Sequence, residues 1–94
     1  MDELVFETIL KVVDYRNKLA VQALELLKPE CDKIIWSNCS DKLEIERVLD
    51  RLLDFCFDEK ILKVYRKLCR HYYNIDTVAT TQYVNTYREM WDEG

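Results

Sequence analysis

The stretch DKLEIERVLDRLLDFCFDEKILKVYRKLCRHYY, residues 41–73, decides how this chain folds. In its first half Ile45, Val48, Leu49, Leu52, Phe55 and Cys56 recur at three- and four-residue intervals, which gathers them on one face of an α-helix. Glu46, Arg47, Asp50, Arg51 and Asp54 fill the opposite side. In its second half Ile61, Val64, Tyr65, Leu68 and Tyr72 make another such stripe. Counted along one unbroken helix, the second stripe points nearly opposite to the first, so the two halves must be separate helices. The break falls at Phe57-Asp58, where Asp58 is placed to cap the second helix and Phe57 and Leu62 occupy the positions of a hydrophobic staple. Asp41 followed by Glu44 has the spacing of a capping box at the start of the first.

Working outward, turn chemistry supports the same class. The only glycine is Gly94 and the only proline is Pro29. Tight hairpins and phosphate-cradling loops need several residues at positive φ, a role glycine fills without steric cost. Asn, Asp and Ser must therefore turn the corners, which suits capped helices joined by short links.

Residues 3–27 carry a longer helical pattern. Phe6, Ile9, Leu10, Val13, Ala20, Leu24 and Leu27 form one stripe, and Leu4, Tyr15, Leu19 and Leu26 form a second, well around the cylinder. A helix apolar over more than half its circumference is buried on more than one side, so it reads as the central helix of the bundle or as one that carries a homodimer interface through Leu4, Tyr15, Leu19 and Leu26. Pro29 is expected to end it and to open a short helix, 29–36, that lays Ile34, Ile35 and Trp36 on the core. Residues 76–92 combine strand-favouring Val and Thr with aromatic residues every fourth position, Tyr83, Tyr87 and Trp91. The periodicity, and the lack of any strand to pair with, give a helix capped by Asn74 or Asp76. The expected fold is all-α, a compact bundle of four main helices plus one short helix, in a single domain spanning 1–94.

Composition limits the chemistry. The 94 residues are 49% hydrophobic and 34% charged with a net charge of −4, and no apolar run approaches the ~18 residues of a membrane span. An acidic start at Asp2-Glu3, with Asp14 and Arg16 further in, argues against an export signal. Cys31, Cys39, Cys56 and Cys69 are spaced by eight, seventeen and thirteen residues, with no close pair. Zinc sites bring their ligands in such pairs, so Cys31, Cys39, Cys69 and His71 are not read as a metal site. Cys56 and Cys69 fall on or beside apolar helical faces, and the cysteines are read as reduced, buried thiols of a cytoplasmic protein, with no metal and no cofactor.

Three features remain that could carry function. The face of the 59–73 segment opposite its core stripe bears Lys60, Lys63, Arg66, Lys67, Arg70 and His71, a basic patch that could hold a phosphate backbone, with Tyr73 beside it to stack on a base. Tyr83, Tyr87 and Trp91 form a core stripe or, alternatively, a surface that docks into a partner. Arg66, His71 and Tyr73 make an R-x4-H-x-Y string. This string resembles the catalytic motif of the HEPN family of helical-bundle ribonucleases, whose active site forms at a homodimer interface. The resemblance implies RNA cleavage by Arg66 and His71, with Tyr73 accompanying them. It departs from the family pattern at Lys67, where a polar amide or acidic residue is common. No cofactor motif, metal pair or carboxylate pair stands out, and the reading reached by elimination is a non-catalytic protein-interaction or regulatory module of the adaptor, inhibitor or antitoxin-like kind, with a protein partner that includes itself. A homodimeric HEPN-like ribonuclease is the first alternative and a nucleic-acid-binding accessory protein the second; no membrane is implied.

Overall fold

The computed structural model describes residues 2–92. It is all-α, with four helices: α1 (Glu3–Trp36), α2 (Lys42–Leu53), α3 (Glu59–Tyr73) and α4 (Thr77–Tyr87), the last continued by a π-helical turn, Arg88–Asp92. An aspartate caps every one of them. Asp2 accepts from the Leu4 amide, Asp41 from Leu43 and Glu44, Asp58 from Lys60 and Ile61, and Asp76 from Ala79. The turn at residues 54–58 separates α2 from α3 where the phase of the two stripes requires it. Glu44 does not complete a reciprocal capping box. Its carboxylate instead binds Arg47 at 2.7 Å, and the same guanidinium reaches Glu30 of α1 at 3.3 Å.

The short helix expected at 29–36 is the last quarter of α1, which runs unbroken through Pro29. Proline in a helix interior removes the hydrogen bond to the carbonyl four residues back, here that of Glu25. Both residues lie on the exposed side of α1, where water can serve that carbonyl, while Leu27, Cys31 and Ile34 on the other side stay packed in the core and hold the helix in register. Trp36, expected against the core, is exposed, and only Ile34 and half-buried Ile35 face inward.

Asn38 ends α1. It adopts φ 53°, and the amides of Asn38 and Cys39 return to the carbonyls of Ile35 and Ile34 at 3.1 and 2.9 Å, the paired bonds of a Schellman motif. Asparagine thus takes the left-handed position that glycine usually fills.

The hub of the bundle is α3, not α1. It packs against α1, α2 and α4, burying Ile61, Val64, Tyr65, Leu68, Cys69 and Tyr72. Opposite them stand Ile45, Val48, Leu49 and Leu52 of α2 and Ala23, Leu27, Cys31 and Ile34 of α1. Three aromatic side chains at the core have their polar atoms paired: the Tyr72 hydroxyl donates to Glu46, Tyr65 to the Tyr83 carbonyl at 2.9 Å, and the Trp91 indole to the Leu53 carbonyl at 2.9 Å. The wider winding of the π turn keeps Trp91 on the face already held by Tyr83 and Tyr87, so that it meets Phe57 at 5.8 Å between ring centroids.

Candidate interaction surface

Three helices of eleven to fifteen residues cannot cover one of thirty-four. The molecule measures 51 × 27 × 18 Å, its long dimension being the length of α1 at about 1.5 Å per residue. The part of α1 that enters the core begins at Leu19 and Ala20, and every residue from 3 to 18 is exposed. We call this segment the arm. It carries Leu4, Val5, Phe6, Ile9, Leu10, Val12, Val13 and Tyr15, with Leu4 71%, Leu10 52% and Tyr15 63% exposed. Phe6, Ile9 and Val13 continue the stripe that α2 and α3 bury lower down, and above the bundle that stripe is exposed. At the arm's base the Arg16 guanidinium lies over the Phe57 ring, 4.3 Å from its centroid. Arg16 therefore makes a specific contact at the rim.

The four residues singled out as a dimer interface fall into two places. Leu4 and Tyr15 stand on the arm. Leu19 and Leu26 line an apolar groove of about 380 Å³ between α1 and α2, floored by Ala23, Leu27 and Phe55.

A second cleft, of about 450 Å³, opens between α3 and α4. Leu62, Tyr65, Cys69, Val84 and Tyr87 supply its apolar lining, and three arginines, Arg66, Arg70 and Arg88, stand around it with one carboxylate, Asp92. Among the described residues none of these arginines is in an ion pair, and the same holds for Lys60, Lys63 and Lys67. The basic face of α3 is therefore exposed and uncompensated, although the chain as a whole is acidic. Sequence reasoning found that face but missed the cleft, because Arg88 joins it only through the packing of α4 on α3.

Arg66 and His71 do not share a surface. Five residues apart on one helix, they are turned about 140° from each other. Arg66 and Tyr73 border the α3–α4 cleft, whereas His71 lines a hollow on the α1 side with Asp32, Trp36 and Lys67. His71 is half-buried, and its Nε2 lies 2.7 Å from the Cys39 carbonyl oxygen. A carbonyl only accepts, so Nε2 carries the proton. The bond ties the α1–α2 link to α3, which is a structural task. The R-x4-H-x-Y string is thus divided between two faces of one subunit.

The other candidates are engaged within the fold. Tyr83 donates to Asp50 at 2.8 Å, Tyr87 packs on Tyr65 at 6.1 Å between ring centroids, and Trp91 is held by Leu53 and Phe57. This half-buried aromatic stripe closes α4 onto the bundle, and Tyr87 also lines the α3–α4 cleft. Burial pushes the thiol of Cys31 up to about 11, with the Asp32 charge adding, and that of Cys69 to about 11. Burial likewise takes Cys56 to about 12, so none of the three is a thiolate at neutral pH. All four cysteines are free, and among the described residues no three His, Cys, Asp or Glu side chains gather as ligands would. Nor is any described helix long and apolar enough to cross a membrane.

The chain matches no protein-family model, no curated protein and no solved structure.

Proposed function

We propose that this chain is a non-catalytic protein-interaction module that assembles with a second copy of itself through the arm of α1. The observation that carries the reading is the arm itself: sixteen exposed residues of helix, touching the bundle at their base through Arg16, carry large apolar side chains on most of their circumference. Isolated helices of this length are marginal in water and draw their stability from packing an apolar face. Contiguous exposed apolar surface of this kind marks interaction sites in soluble proteins. A second copy supplies a matching apolar face by symmetry, and two-fold pairing is the commonest closed arrangement.

Light scattering across a dilution series tests the proposal. A dimer mass at micromolar concentration, with arm amides losing protection from hydrogen exchange on dilution, is the expected result. A monomer at high micromolar concentration refutes self-assembly. The basic face of α3 supports a second reading, binding to a nucleic-acid backbone, since among the described residues its cations have no ion-pair partner. A gel shift at low salt that is abolished by Lys63→Glu with Lys67→Glu would favour that reading.

A further inference from the structure

We infer that the surface receiving the arm is the arginine-rimmed cleft between α3 and α4 of the second copy, so that two subunits exchange arms reciprocally. This rests on the self-assembly reading above and specifies its geometry. Glu3, Phe6, Glu7 and Leu10 fall on one face of the arm, spaced by three, one and three residues. That face alternates two carboxylates with two large apolar side chains, all exposed.

On the wall of the cleft Leu62, Arg66, Cys69 and Arg70 also share one face of α3, and they alternate apolar groups with two guanidiniums. The spacings agree. Glu3 and Glu7 are four residues apart, as are Arg66 and Arg70, and residues so placed have Cβ atoms about 5–6 Å apart on any helix. Among the described residues neither carboxylate and none of Arg66, Arg70 and Arg88 has an ion-pair partner within the subunit. The cleft wall from Leu62 to Tyr73 runs about 16 Å, the length of roughly eleven helical residues, which matches the apolar part of the arm.

The arm cannot reach its own cleft. It continues a helix already fixed against α2 and α3, whereas the cleft opens between α3 and α4. A two-fold pair satisfies both surfaces at once, because each copy gives an arm and offers a cleft.

Charge reversal in full-length protein tests this. One variant carries Glu3→Lys with Glu7→Lys and the other Arg66→Glu with Arg70→Glu; all four positions are exposed, and circular dichroism checks each fold. Each variant alone should dimerise about tenfold or more weakly than the parent, through like charges at the junction. Mixed in equal amounts, the two should form a heterodimer of near-parental affinity, since each lysine-bearing arm then meets a glutamate-bearing cleft and each glutamate arm an arginine cleft. In the unmodified protein, raising NaCl to about 0.5 M should weaken the dimer by screening the same pairs. A parental dimer unaffected both by reversal of the cleft and by salt overturns the inference while leaving self-assembly through the arm intact. A parent that is monomeric throughout overturns both.

Discussion

Leu10→Ala should weaken assembly about thirtyfold and leave the bundle as stable as before. Leu10 is 52% exposed, and its remaining contacts lie within the arm, so the subunit loses almost nothing on truncation. Alanine is also the stronger helix former, which offsets the small loss along α1. In the proposed dimer the exposed half of the side chain would be buried. Full burial of a leucine is worth about 1.5–3 kcal/mol, so half of it is worth about 1 kcal/mol. Two-fold symmetry doubles that figure, and about 2 kcal/mol corresponds to roughly a thirtyfold rise in dissociation constant. Sedimentation equilibrium over a concentration series measures the constant, and urea unfolding at a concentration where the parent is monomeric measures the fold. A dissociation constant within twofold of the parent's would refute the argument. So would a drop in the monomer's urea midpoint, which would show that Leu10 packs within its own subunit.

Three further outcomes are expected. His71→Ala should lower stability by about 1–2 kcal/mol in thermal or urea unfolding, because it leaves the Cys39 carbonyl without its donor; an unchanged midpoint would free His71 for another role. Asn38→Ala should cost about 1 kcal/mol and Asn38→Gly should be neutral or stabilising, since only the former must pay for a β-carbon at φ 53°; equal midpoints for the two would contradict the C-cap geometry. The Ala79 amide and the Lys42 ammonium hold the Asp76 carboxyl below its usual range, so its share of stability is present above the ordinary carboxylate pKa and is lost as pH falls through the depressed native value. Urea midpoints over roughly pH 2 to 5 should therefore fall less steeply in Asp76→Asn than in the parent, and identical slopes would rule out the coupling.

Much of the fold is legible in the sequence, because each legible part depends on local phase. The opposed stripes of residues 45–56 and 61–72 require a break, and Asp58 marks its end. Asp41 marks another helix start, Asp76 is one of two candidates with Asn74 for the last, and the fourfold spacing of Tyr83, Tyr87 and Trp91 outweighs the strand propensity of the threonines beside them. Pro29 misleads because the local rule does not know which side of the helix loses its hydrogen bond. The central place given to α1 fails for a reason of length: two apolar stripes say that a helix wants cover, not that its neighbours are long enough to give it. Leu4 and Tyr15 were legible as unsatisfied surface for this reason, whereas the α3–α4 cleft was not, since Arg88 meets Arg66 and Arg70 only after α4 has docked. The pairing of Arg66 with His71 rests on the resemblance to the HEPN motif, and helical rotation separates the two.

The arm and the core segment of α1 are one continuous helix, with no link between them in which a bend could be absorbed. A flexible tail would let its partner hold the bundle at any angle. Here, whatever grips residues 3–18 also fixes where the bundle points, because a rotation at one end of the rod is carried to the other. Two subunits joined in this way have one relative orientation, and the spacing between their basic α3 faces is set by helix length, about 1.5 Å for each residue inserted or removed between arm and core. Each such residue would also turn the arm by about 100° about its own axis, so length changes that preserve the pairing should come in near-whole turns of three, four or seven residues.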